Sequence, residues 1–340
     1  MRPLSASGKA CQLATLTASS SAPDSITVGN GSVWVEYGNG ASSTGGPGSS
    51  TIVQYSPAGS IQSTYTIAGS VDGLKIDPST GLVWALQNQD ANSTLSLINP
   101  TTHAITGPLS YASPPYVYGA NSSRGYDDVA FRGSQVFLSY TNSTGASDPV
   151  VQLLNQGHAP SGTLTTTDVV IAGQTGVPTP DTDSLKTAPD RNLVLTDGDG
   201  GRVALISNPG SAGQTISNVQ IKAGGTNVSG LDDVLFPSAT SETLYVSDTA
   251  NNDVFAVSLT GLDLNTPIAS IGSLQELALV DTTTGNATPL LTAAGVPTGK
   301  FTSPHGLDFA PTAVPEPFSL SILGTGIIGL SLVRRRRVSR

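Results

Sequence analysis

"DGLKIDPSTGLVWALQNQDANSTLSLINPTTHAITGPL", from Asp72 to Leu109, holds four short runs of strand-forming residues separated by turn residues. "DGLKI" opens on a polar residue and then alternates, which turns Leu74 to one sheet face, and "PSTG" supplies the tight turn into "LVWAL". "TLSLIN" from Thr94 and a fainter "HAITGPL" from His103 complete the set. Four strands joined by such short links form an antiparallel meander.

The unit recurs along the chain. "DSITV" at Asp24, "DDVAF" at Asp127, "DSLKT" at Asp183, "DDVLF" at Asp232 and "HGLDF" at His305 repeat the first run, and they put Ile26, Val129, Leu185, Val234 and Leu307 in the place of Leu74. Second runs follow at once: "SVWVEY" from Ser32, "QVFLSY" from Gln135, "NLVLTD" from Asn192 and "TLYVSD" from Thr243. Third runs are "TIVQYS" from Thr51, "PVVQLL" from Pro149, "RVALIS" from Arg202 and "DVFAVS" from Asp253. Four antiparallel strands about every 50 residues mark the blade of a β-propeller, in which each sheet buries both faces against its neighbours.

The fold is therefore read as all-β, a propeller of four-stranded antiparallel blades, six in number, with five or seven as alternatives. Intervals between first runs are 48, 55, 56, 49 and 73 residues. The long last interval contains "LQELALVD" from Leu274 and "TPLLTA" from Thr288, which is expected to be an insertion or a degenerate blade. Nothing after "HGLDF" completes its blade, so "CQLATLTA", Cys11 to Ala18, is expected to return and close the ring. The domain reading is residues 1–19 as an N-terminal segment able to supply that strand, 20–312 as the propeller, and 313–340 as a separate tail.

Composition agrees and narrows the function. Only 11% of residues are charged while Gly numbers 38 and Pro 23, so turns are frequent and helices few. Five of the 15 basic residues lie in the tail, which leaves 10 against 24 acidic ones; a body so acidic is not expected to bind nucleic acid, whose phosphates need basic patches. Cys11 is the only cysteine, so it is read as a free thiol and the core must stand without an internal disulfide. There is no Gly-rich phosphate loop, GxSxG elbow, HExxH or CxxC motif. His103, His158 and His305 have no zinc-motif spacing, and "DGDGG" at Asp197 to Gly201 reads as a turn. Trp34 and Trp84 occupy matching second-strand positions and are expected to pack between blades.

"YVSDTANNDVFAV", Tyr245 to Val257, reads as part of the fifth blade and resembles the NHL, gluconolactonase-like and "YVTN" propellers, with Asp248, Asn251 and Asn252 on an Asp-rich turn. The first strand of a propeller blade lines the central channel, so the leading residues Asp24, Asp72, Asp127, Asp183, Asp232 and His305 are expected to form a ring at one mouth. Converging carboxylates are the hard oxygen ligands that Ca²⁺ takes, and the likeness to gluconolactonase-like enzymes implies metal-assisted lactone or ester hydrolysis. The competing reading gives each Asp the same local task of satisfying backbone amides. No cofactor other than such a calcium ion is expected.

The C-terminus has a different character. Val314, Pro315, Glu316 and Pro317 precede Phe318 to Val333, 16 residues without a charge, and then Arg334, Arg335, Arg336 and Arg337. An uncharged run approaching the ~20 residues of a spanning helix, stopped by arginines that stay in the cytoplasm, reads as a single transmembrane helix with the body outside. The arrangement resembles the PEP-CTERM sorting signal of Gram-negative bacteria, which implies recognition and removal by an exosortase in cells that make exopolysaccharide. The N-terminus, "MRPLSASGKACQLATLTASSSAP", lacks the apolar run of a secretory leader, so that leader is expected upstream of Met1 or already removed. The functional expectation is an exported, non-enzymatic surface or matrix propeller, anchored in the inner membrane before processing, that binds an exopolysaccharide or a surface protein. The alternative is a calcium-dependent lactonase or esterase.

Overall fold

The computed structural model describes residues 7–15, 20–112, 124–142, 150–154, 157–170, 182–190, 192–296 and 301–310. Strand β1, Ser7–Thr15, comes first and joins the last blade. Blade one is β2 Pro23–Gly29, β3 Ser32–Tyr37, β4 Ser49–Tyr55 and β5 Ile61–Ala68. Blade two is β6 Val71–Ile76, β7 Val83–Gln87, β8 Thr94–Ile98 and β9 Ile105–Ser110. Blade three is β10 Arg124–Arg132, β11 Gln135–Asn142, β12 Val150–Leu154 and β13 Thr165–Val170. Blade four is β14 Thr182–Thr187, β15 Leu193–Asp197, β16 Arg202–Ser207 and β17 Thr215–Gln220.

The last two blades are interleaved. After a two-residue ribbon, β18 Lys222–Ala223 and β19 Thr226–Asn227, the chain lays down β20 Leu231–Leu235 as the inner strand of blade five. It then crosses to blade six for β21 Ser241–Asp248 and β22 Asp253–Thr260. It returns to blade five for β23 Ile268–Ile271, β24 Glu276–Val280 and β25 Asn286–Thr292, and ends with β26 Pro304–Phe309, the inner strand of blade six. The reading of "YVSDTANNDVFAV" as blade five is thereby corrected: Leu244 to Val246 pair with Leu307 to Phe309, not with Asp232. "LQELALVD" and "TPLLTA" are neither insertion nor extra blade but ordinary strands of blade five. Of Cys11 to Ala18, Cys11–Thr15 lie in β1, paired antiparallel with β22, and Leu16–Ala18 fall outside the described residues.

Six sheets result, and their inner strands neighbour one another in a closed ring, β2, β6, β10, β14, β20 and β26. Six apolar clusters fill the six gaps between adjacent blades. Trp34 and Ile52 of blade one meet Val71, Leu74 and Val83 of blade two, and Trp84 and Leu86 meet Val129, Val136 and Leu138 of blade three. At the seam where the ring closes, Ile26, Val33, Val35 and Tyr37 pack on Tyr245 and Val254. A second strand is thus covered on both faces, which is why "SVWVEY" and "LVWAL" lack clean alternation and why both tryptophans are fully buried.

Val314 to Pro317, the apolar run and Arg334 to Arg337 lie outside the described residues. Among the described residues no helix is long and apolar enough to cross a membrane.

Candidate functional site

Each inner strand carries a bulge at the same place. Pairing slips between Pro23 and Ile26, Val71 and Leu74, Tyr126 and Val129, Thr182 and Leu185, and Leu231 and Val234, and β26 does the same across His305 and Gly306. A bulge sets two residues against one and re-aims the first of them. Here that first residue is Asp24, Asp72, Asp127, Asp183, Asp232 or His305, one from each blade. The five carboxylates line a small cavity of about 30 Å³, large enough for water or a bare ion.

The ring is not sixfold in its contacts. His305 Nδ1 lies 2.9 Å from Asp24 Oδ1 and 3.2 Å from Asp232 Oδ1, while its Nε2 lies 3.0 Å from Ser303 Oγ. Burial alone would lower His305, yet the carboxylates of Asp232 and Asp24 outweigh it and raise the ring to about 10. Burial pushes Asp232 up to about 7 against the pull of His305. Burial also raises Asp72, and the neighbouring carboxyl of Asp127 raises it further. Asp183 lines the same cavity.

A second layer, which sequence reasoning missed, ties the blades together beneath the ring. Asp128 accepts hydrogen bonds from the Leu185 N–H at 2.9 Å and from Lys186 Nζ at 2.9 Å; Asp233 accepts from the Leu307 N–H at 2.8 Å and lies 3.2 Å from the same Nζ. Burial would lower Lys186, but Asp128 and Asp233 hold it well above its ordinary range. Asp308 accepts from the Val28 N–H at 2.9 Å, which closes blade six onto blade one, and from Lys75 Nζ of blade two at 3.3 Å. The signal was present: the second acid of "DDVAF" and "DDVLF", and the fourth residue of "DGLKI", "DSLKT" and "HGLDF".

Oxygens of Asp24 and Asp232 and a ring nitrogen of His305 lie within 4.8 Å of one another. That span is about twice the 2.3 to 2.6 Å of a Ca²⁺–oxygen bond, so these groups fit around a divalent cation once the imidazole has released its hydrogen. "DGDGG" is a turn, in which the Gly200 N–H donates to Asp197 Oδ1 at 2.9 Å.

No family model matches the chain, and no curated protein is similar to it in sequence. Solved structures do share its fold. A periplasmic gluconolactonase of Pseudomonas aeruginosa is 13% identical over 90% of this chain and 99% of its own, with a TM-score of 0.51. A Lactobacillus plantarum protein is 12% identical over 87% and 90%, with a TM-score of 0.52. A streptogramin B lyase is 13% identical over 89% and 94%, at 0.48. At these identities the likeness to the first two shows the fold and nothing about chemistry.

Proposed function

We propose that this chain is an exported propeller that works at the acidic mouth of its channel, where it holds a divalent cation and through it binds a glycan or protein partner outside the cell. The observation that carries the reading is the convergence of Asp24, Asp232 and His305 from blades one, five and six, since these residues lie far apart in sequence and meet only in the closed ring. Export and sorting rest on the tail: Val314 to Pro317 would be gripped by an exosortase-type enzyme while Arg334 to Arg337 stay in the cytoplasm. Hard oxygen donors favour Ca²⁺, which would screen the mutual repulsion of the carboxylates and offer open positions to hydroxyl or carboxylate groups of a partner.

Two measurements test it. Co-sedimentation of the protein with exopolysaccharide of its native host is expected to need Ca²⁺ and to vanish with EDTA; sedimentation indifferent to the metal contradicts the cation's role. Intact-mass analysis of protein from that host is expected to show the tail removed, and a mature protein that still carries Arg337 contradicts processing.

A second reading is hydrolysis of a small lactone or ester. It is favoured by His305, a proton-carrying group held between two carboxylates on an open mouth.

A further inference from the structure

Ser303, His305 and Asp24 stand in the spatial order of a nucleophile, a general base and the carboxylate that orients it. His305 Nδ1 faces two carboxylate oxygens, Asp24 at 2.9 Å and Asp232 at 3.2 Å, and so it carries hydrogen. In the neutral ring this leaves Nε2 as the lone-pair atom, and Ser303 Oγ lies 3.0 Å from it, within reach of proton transfer. Ser303 is also fixed at its backbone. Asp248 accepts the N–H groups of Thr302 at 2.8 Å and Ser303 at 3.1 Å, and the Thr249 N–H donates to the Ser303 carbonyl at 3.0 Å. Asn251 Nδ2 adds a bond to Thr302 Oγ1 at 2.9 Å, so the Asp-rich turn between β21 and β22 holds the serine in place. Ser303 and His305 both remain half-buried, so each keeps part of its surface exposed.

We propose that Ser303 is a nucleophile, activated by His305 and oriented through Asp24, for hydrolysis of a small ester or lactone. The proposal rests on the hydrolytic reading of this mouth and replaces the metal with a covalent step. His305 Nε2 takes the hydroxyl proton as Ser303 Oγ bonds to the carbonyl carbon, and the carbonyl electron pair moves onto its oxygen. When that pair returns, the bond to the alkoxy oxygen breaks, and the leaving oxygen takes the proton from Nε2. Water then attacks the acyl-serine, giving its proton to Nε2; the Ser303 oxygen leaves and is reprotonated from there, so ester and water become acid and alcohol. Alcohol leaving groups need less assistance than amines, and the surrounding carboxylates disfavour an anionic acyl group, so the substrate is a neutral or cationic ester.

The test uses the full chain, with rates followed from about pH 7 to pH 10 because a general base must be free of its proton. A fluorophosphonate probe, which reacts with activated serines, is followed by peptide mass spectrometry, and p-nitrophenyl acetate turnover is measured with EDTA or with added Ca²⁺. Expected are a label on Ser303, its reduction by about tenfold or more in His305→Gln, and loss of about 10³-fold in turnover in Ser303→Ala. EDTA should leave the rate unchanged, and Ca²⁺ should lower it by competing for Asp24. No label on Ser303, or turnover that survives Ser303→Ala, overturns the proposal. If that surviving turnover needs Ca²⁺, the metal-dependent hydrolase stands in its place; if neither label nor turnover is seen, both fail. Should His305→Gln not fold, labelling of the wild type and the Ser303→Ala rate still decide.

Discussion

Lys186 is buried among three blades' worth of acid, with its ammonium 2.9 Å from Asp128 and 3.2 Å from Asp233. Its replacement by Met fills much of the same volume but leaves two buried carboxylates without their cation, and breaking a buried pair in that way costs about 3 to 5 kcal/mol. Chemical denaturation of Lys186→Met is expected to show a loss of that order; a change below about 1 kcal/mol would mean that the carboxylates find solvent or protons instead. Asp77 provides the pH-dependent counterpart. Burial would raise it, but hydrogen bonds from Thr80, Ser79 and His158 outweigh burial and hold it below the usual carboxylate range. A depressed acid contributes stability above its unfolded value of about 3.9 and loses it as pH falls through the lower folded value. The denaturation midpoint should therefore drop as pH falls below about 4, and Asp77→Asn should flatten that part of the profile. The leading residues of each blade were legible because they recur; Ser303 was not, since its meaning comes from a histidine two residues on and an aspartate on the opposite end of the chain.

The bulged inner strand is the element that builds both layers. Its first residue turns to the mouth, and its second is either Asp or Ser, stitched to the next blade, or Gly, pressed against that blade's backbone. A Cβ on Gly73 would lie 2.2 Å from the Asp127 carbonyl oxygen, and one on Gly306 would lie 2.5 Å from that of Asp24. Gly73→Ala and Gly306→Ala should thus cost about 1 to 3 kcal/mol as overpacking. Gly133→Ala, at a turn with φ +59° and open space around it, should cost only the ~1 kcal/mol of left-handed backbone. Equal melting temperatures for the three would contradict the close approach of neighbouring blades. Individual strands could be read from sequence because β-branched and aromatic runs stand between turn residues. Their order in blades five and six could not: "TLYVSD" carries the same pattern whether it pairs with Asp232 or with His305, and only packing against Ile26 and Phe301 distinguishes the two.

Closure of the whole ring gives the mouth its chemistry. Blade six is assembled from Ser7–Thr15, Ser241–Thr260 and Pro304–Phe309, and its last strand brings His305 to Asp24 and Asp232, a meeting that no single blade can produce. An acidic body offers many places where a cation could gather weakly, so the decisive property is one saturable site lost with particular carboxylates. Isothermal titration of the full chain with Ca²⁺, beside Asp24→Asn/Asp232→Asn, tests this most directly. The account predicts a single site in the wild type, with about one equivalent bound at saturation, and its disappearance in the double variant. Heat that never saturates, or the same isotherm from both proteins, would contradict a cation-binding mouth.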